Sequence, residues 1–293
     1  MEFSAVETEH KSLLQPYLFN NPFGICDFSF ANLFIWQDVY KSRFTIHKNH
    51  FVAEARPFGG PPAYCFPLGE GGKKEIILDL KRHAESMGEQ FRMASVTESM
   101  KEALDEMFPG EAQYLNPNNN CDYLYLSREL INLAGKKYSS KRNHINKFLM
   151  RYHNMFEYKN ITDEILADCA ALNEKWREEK GENYGDCAAV KKALDHWDAL
   201  RLTGGALYID GRIVAFTAGQ PNNAQTYDII IEKAVSGVEG AYAYINNAFA
   251  RENCADYELI NREEDMGLPE LKKAKLSYCP FVLREKGVGI FKS

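Results

Sequence analysis

The sequence contains no CxxC pair, no HExxH, no GxSxG and no long apolar run. Each absence removes a class of protein. Seven cysteines, at 26, 65, 121, 169, 187, 254 and 279, are odd in number and scattered. They support neither a disulfide framework nor a zinc ribbon, and suit reduced thiols in a cytoplasmic protein. A membrane-spanning helix needs roughly 18 or more apolar residues, and no stretch approaches that. The start, MEFSAVETEH, is acidic and lacks the apolar centre of a targeting signal. GEGGKK fails the phosphate-loop pattern, because its glycines stand at the wrong spacing before Lys73 and Lys74. The seven histidines never fall at metal-ligand spacing, so no metal is expected. The formal net charge of −6 argues against a general nucleic-acid binder, which gives local basic exceptions more weight.

What is present reads as strands and helices in a repeated order. RFTIHKNHFVAEA, residues 43–55, alternates around Lys48-Asn49 as a hairpin. KKEIILDLKRHAESMG has helical spacing with Gly88 as its stop, and TESMKEALDEMFPG is a second helix with Thr97 at its cap. Further along, three strands (GGALYID, RIVAFTAGQ and QTYDIIIEKA) are joined by an Asp210-Gly211 turn and by PNNA. The chain then bends at VSGVEGAY, enters the helix AYAYINNAFARENC and emerges as the strand YELINRE. Trp176 and Trp197 sit at helical spacing among apolar neighbours and read as core. One topology is used twice, with a join near 127–135. The expected domains are therefore 1–130 and 131–293.

An antiparallel meander, a glycine bend, a helix and a returning strand is the element order of the GNAT acyltransferase fold. The expected fold class is α+β: two tandem GNAT domains with mixed, mostly antiparallel sheets flanked by helices. The bend at Gly237 and Gly240 is either a phosphate cradle at a helix N-terminus or an ordinary strand-to-helix turn. Glu239 inside it is a poor neighbour for pyrophosphate.

Two charged segments stand out. No acid occurs between Glu129 and Glu157, while Lys136, Lys137, Lys141, Arg142, Lys147 and Arg151 do, with Asn143, His144 and His153 among them. Ser139 or Ser140 caps the expected helix, and Ile145, Phe148, Leu149 and Tyr152 form its buried stripe. The basic positions make either a phosphate-binding face or a solvated one. Few aromatics interleave with them, so recognition by base stacking is not supported. The second segment is NREEDMGLPELKKAKLSYCP, residues 261–280. Strand alternation would put Asn261, Glu263 and Asp265 on one side. Crowding of Glu263, Glu264 and Asp265 would raise a carboxylate pKa and suit a general base. Lys272 and Lys273 fit a helix C-terminus through the dipole. Lys275, Ser277 and Tyr278 lie beyond it, where they could neutralise a phosphate or protonate a leaving group.

GKKYSSKRNHINKF, LRLTGGALYIDGRIVAFTAGQ, IIIEKAVSGVEGAYAYIN and INREEDMGLPELKKAKLSYCP together resemble a bacterial protein family. That family is similar to the C-terminal catalytic domain of phosphatidylglycerol lysyltransferases, relatives of the Fem-type aminoacyltransferases. The resemblance covers essentially the whole chain, and KKAKLSYCP matches the family's lysine-bearing motif at Lys273 and Lys275. The resemblance implies a transferase that moves an aminoacyl group from aminoacyl-tRNA to a lipid headgroup. The sequence shows no multi-span membrane domain of the kind attached there.

The expected function is acyl or aminoacyl transfer from a phosphate-rich carrier to an amine or hydroxyl. Aminoacyl-tRNA is favoured over acyl-CoA as co-substrate, and no resident cofactor is expected. The acceptor would be a small molecule, a peptide or a lipid headgroup. Expected catalytic residues are Glu263, Glu264, Asp265, Lys275 and Tyr278. Expected phosphate or substrate contacts are Lys141, Arg142, Asn143, His144, Lys147, Arg151, Gly237, Gly240, Asn261, Lys273 and Ser277. A non-catalytic module that binds an anionic ligand is the alternative of a different class.

Overall fold

The computed structural model describes residues 1–56, 60–116, 119–180 and 186–292. The chain divides into two compact units. The first holds Met1–Asp122 with Glu264–Pro269 and Leu283–Ser293; the second holds Tyr123–Glu263 with Glu270–Val282. A single cut near 127–135 therefore gives way to a boundary inside a strand, with two C-terminal segments returned to the first unit. The reason is strand pairing: the chain's last strand finds its partners in the first sheet.

In chain order the strands begin β1 (Ser4–Ala5), β2 (Arg43–His47), β3 (His50–Ala55), β4 (Ala63–Tyr64), β5 (Leu68–Gly69), β6 (Arg92–Val96), β7 (Ala112–Leu115) and β8 (Cys121–Leu126). They continue with β9 (Phe156–Asn160), β10 (Thr203–Ile209), β11 (Arg212–Pro221), β12 (Thr226–Ala234), β13 (Leu259–Asn261), β14 (Val282–Glu285) and β15 (Gly287–Phe291). One sheet has the order β1-β2-β3-β4-β6-β15-β7, with β5 beside β3. The other runs β14-β8-β13-β12-β11-β10-β9. Pairing is antiparallel throughout the registers described, except at β4–β6 and β12–β13.

The turns are where the sequence placed them. Lys48 and Asn49 both have positive φ, 46° and 63°, as the tight β2–β3 hairpin demands. Asp210 and Gly211 do the same between β10 and β11, at 47° and 73°. The helices Lys73–Ser86 and Glu98–Met107 lie where the apolar spacing put them. Thr97 occupies the cap position of the latter without capping it, its hydroxyl pairing with that of Ser99 instead.

In the second unit the helix Ser139–Arg151 begins after Tyr138, and neither serine caps it. Its one fully buried side chain is Phe148, which joins Leu207, Ala215, Ala234, Ala241 and Ile245 in the core. Leu149 and Tyr152 pack at the edge of that cluster. Gly240 allows this approach. Its φ is 85°, and a Cβ there would stand 2.4 Å from the carbonyl oxygen of His144. Trp176 and Trp197 are buried as expected. No helix among the described residues is long and apolar enough to cross a membrane.

Candidate functional site

The second unit's sheet forks. β12 and β13 pair in parallel only from Thr226–Asp228 to Leu259–Asn261. β13 then ends, while β12 continues to Ala234. Side chains converge beyond the point where the pairing stops. Arg262, the first residue after β13, donates from Nη2 to Glu232 Oε1 on β12 at 2.9 Å. Asn246, on the helix Ala241–Asn253, donates from Nδ2 to the other Glu232 oxygen at 2.8 Å. Glu232 is thus clamped at both oxygens.

Tyr278 brings two cations together. The Arg262 guanidinium carbon lies 4.7 Å from its ring centroid, and Lys141 Nζ lies 3.8 Å from it. Both distances suit a cation on an aromatic ring. Lys141 also donates to Ser277 Oγ at 2.6 Å, and that hydroxyl donates to Ala274 O at 2.5 Å. Tyr125 packs edge-on against Tyr278 and donates its hydroxyl to Lys275 O at 2.9 Å. Lys275 is buried, with Nζ donating to the carbonyls of Arg262 and Glu263 at 2.5 and 3.1 Å. Both carbonyls belong to the turn that follows β13.

Electrostatics follow from this burial. Desolvation, reinforced by the Arg262 charge, pulls the Lys141 pKa down to about 8. Burial opposes charge on Arg262, but Glu232 and the two tyrosines outweigh it, so the guanidinium stays charged. Burial pushes Tyr278 and Tyr125 upward, so both remain protonated near neutrality. Lys141 and Arg262 thus share the Tyr278 ring beside one carboxylate, Lys275 adds a third, buried cation, and the Lys141 amine is poised to change charge near neutral pH. That suits binding an anion, or stabilising negative charge that develops during acyl transfer.

The other expected residues fall into distinct places. Asn261 is buried, and its Oδ1 accepts the Glu263 N–H at 2.7 Å in a turn where Glu263 has φ 57°. Because the strand stops at Asn261, the alternation expected for Glu263 and Asp265 does not continue. Glu264 and Asp265 take different partners, Lys286 and the Gly267 N–H. Asp265 accepts the N–H of Gly267 at 2.8 Å and shapes a turn of the first unit. Arg142 donates to the carbonyls of Leu133 and Gly135, bracing the segment before its own helix. Lys147 pairs with Glu239 at 2.9 Å, so the glycine bend carries an ion pair and a close helix contact. Asn143, His144 and Arg151 are exposed on that helix, and Lys273 is exposed on the helix Pro269–Leu276.

Glu264 joins a second cluster, built wholly within the first unit. Lys286, 3% exposed, sits 2.5 Å from Asp27, 2.7 Å from Asp122 and 2.5 Å from Glu264. Its Nζ is also 3.4 Å from Cys26 Sγ. The donor atoms of Cys26, Asp27, Asp122 and Glu264 all lie within 4.8 Å of one another, a spacing that could hold a metal ion. The ammonium already stands among them, and a metal would have to displace it. Burial raises the Glu264 pKa against the pull of Lys286.

Sequence reasoning missed Arg262, Glu232, Asn246 and Tyr125. Signals did exist: an acid inside the apolar strand IIIEKA, and adjacent amides inside the apolar helix AYAYINNAFA.

The family model described as phosphatidylglycerol lysyltransferase, C-terminal, matches residues 22–286. The chain belongs to this family. It is similar along its whole length to a conserved protein of unknown function from Bacteroides thetaiotaomicron VPI-5482. That crystal structure is 34% identical, with a TM-score of 0.95 and all of both chains covered. L-PGS from Bacillus licheniformis shares the fold at 16% identity and a TM-score of 0.69, over 99% of this chain and 93% of that one. The uncharacterized protein MYCGA3080 of Mycoplasmoides gallisepticum is 27% identical over 172 residues, 57% of this chain and 55% of that protein. The match thus spans about half the length of that relative. A tandem GNAT protein from the clavulanic acid biosynthesis pathway matches at 8% identity and a TM-score of 0.50, covering 98% and 97% of the two chains. The GNAT assignment drawn from element order holds as a matter of fold.

Proposed function

We propose that this protein transfers an aminoacyl group from a phosphate-rich carrier, aminoacyl-tRNA in preference to acyl-CoA, to an amine or hydroxyl acceptor. The observation that carries the reading is the convergence of Lys141 and Arg262 on Tyr278 where β13 leaves β12. Positive charge there stabilises the oxyanion formed when the acceptor attacks the ester carbonyl. Of the three expected acids, Glu263 alone stays in this unit, and we assign it the role of base. Lys141, hydrogen-bonded to Ser277, supplies the proton for the departing hydroxyl. Lys147, Arg151 and His144 would meet phosphates along the exposed helix face.

The membership in a phosphatidylglycerol lysyltransferase family favours an aminoacyl donor, and such a donor makes the protein cytoplasmic. The glycine bend supports the same choice. Its Glu239 side chain and its close contact with the helix Ser139–Arg151 disfavour a pyrophosphate at that position.

The test is a thermal-shift series with charged aminoacyl-tRNA, uncharged tRNA, acetyl-CoA and free CoA, followed by a transfer assay. A ligand that binds only the folded form raises Tm by mass action. Stabilisation by charged tRNA should fall steeply with added salt, because phosphate contacts release counterions. A shift with CoA species alone would replace the donor assignment. A wild type that binds tRNA and never consumes it would make the protein a binding module.

A further inference from the structure

Two buried polar atoms at the fork have no hydrogen-bond partner: Arg262 Nη1 and Asn246 Oδ1. Asn246 is 1% exposed, so its oxygen lies away from bulk solvent. An orphaned donor and an orphaned acceptor each cost free energy when buried, and a ligand with matching groups recovers it. The two residues hold opposite oxygens of one carboxylate, Glu232, so each unpaired atom belongs to a group that touches the same side chain. Lys141 adds a second cation through the shared Tyr278 ring, and Glu232 is the one carboxylate hydrogen-bonded within this group.

The donor side asks for an anion. The acceptor side, next to Glu232, asks for an N–H donor, and a phosphodiester has none to offer. We propose that the fork binds an acidic amino acid unit, its carboxylate on Arg262 Nη1 and Lys141 and its ammonium on Asn246 Oδ1 and Glu232. This rests on the transferase reading for its place in a reaction, but not for its chemistry. It sets the fork against a basic side chain, whose second ammonium would meet two cations in a site of low polarity.

Binding is measured by calorimetry at pH 6.5 with the α-methyl esters of L-aspartate, L-glutamate and L-lysine, and with free L-aspartate, L-alanine and succinate. The α-esters mimic an aminoacyl group and leave only the side-chain carboxylate. Binding of the aspartyl or glutamyl ester points to the donor's acyl group, and binding of free L-aspartate alone points to an acceptor. Either result supports the proposal. The lysyl ester should bind at least ten-fold more weakly. Lys141→Met and Arg262→Gln should each weaken the acidic ligand ten-fold or more. Asn246→Leu should weaken it without changing succinate, which has no amino group. Arg262→Gln breaks a buried pair and can fail to fold; the half-buried Lys141→Met then carries the test. Equal or tighter binding of the lysyl ester, or acid binding indifferent to Lys141→Met, overturns the proposal. Transfer from a basic aminoacyl-tRNA without acid binding would leave the transferase reading standing and remove this one. Acid binding with no transfer would do the reverse.

Discussion

Replacing Glu232 by leucine should be among the most damaging single changes in the second unit. The reasoning starts from burial. Arg262 and Glu232 side chains are only 11% and 13% exposed, which places the pair outside the regime of surface salt bridges. Removing one partner leaves an uncompensated buried charge, at a cost of about 3–5 kcal/mol. For a unit of this size each kcal/mol lowers Tm by roughly 2–4 °C, so the drop should be on the order of 6–20 °C. Arg262→Met should cost a similar amount, since it strands Glu232 with Asn246 alone. The double variant Glu232→Leu with Arg262→Met should recover most of the loss. A buried ion pair exchanged for apolar groups of similar volume is often neutral or better. The flanking rings of Tyr125 and Tyr278 offer a methionine apolar surface, although the cation–ring contact is lost. The assay is thermal and denaturant unfolding of the wild type, both singles and the double, treated as a cycle. A Glu232→Leu loss below about 1 kcal/mol, the value of an exposed pair, would refute the claim of burial. A double variant as unstable as the summed singles would refute the claim that the two charges serve each other.

Three further outcomes follow from the same structure. Lys286→Met leaves Asp27, Asp122 and Glu264 facing one another with no cation, and should cost on the order of 3–5 kcal/mol near pH 8. The stranded carboxylates would have raised folded pKa values, so the deficit should shrink as pH falls toward 5; a gap independent of pH in melting curves would contradict this. In the wild type the Lys286 pKa lies well above 10.5, so its stabilisation is complete below that value and is lost only as pH rises through the folded pKa. Lys141, lowered to about 8, should make anion binding at the fork constant from pH 6 to 7 and weaker through pH 8 to 9. Lys141→Met should flatten that profile, and a profile unchanged by the substitution would assign the titration elsewhere. Gly240→Ala should destabilise by about 2–4 kcal/mol, since a Cβ meets the His144 carbonyl and the residue must keep φ 85°. Gly237→Ala, at φ 87° with open space around it, should cost only about 1–2 kcal/mol, and equal losses in chemical denaturation would show that the helix contact is unimportant.

Local chemistry accounts for what could be read in advance. The Asp210-Gly211 and Lys48-Asn49 turns, the helices around Ile76 and Leu104, and the order that indicates a GNAT fold are written in neighbouring residues. A turn needs its own φ angles and a helix its own 3.6-residue stripe, so a window of the sequence contains the cause. The same holds for Lys141, Ser277 and Tyr278, singled out by unusual charge and position, which do meet. Glu263, Glu264 and Asp265 show the limit. Adjacent in sequence, they are parted by a backbone turn at Glu263, and Glu264 finds its charge partner at Lys286, 22 positions later. Arg142 and Lys147 are basic in sequence but already answered by carbonyls and by Glu239.

Sequence alone thus determined the class of fold, the placement of its tight turns and helices, and the excess of basic charge before residue 153. Only the tertiary structure decided which charges are paired, which are buried and which polar atoms are left over. A pKa or an unsatisfied N–H belongs to an environment, and the environment of Arg262 is assembled from β12, the helix Ala241–Asn253 and Tyr278, segments that only folding brings together.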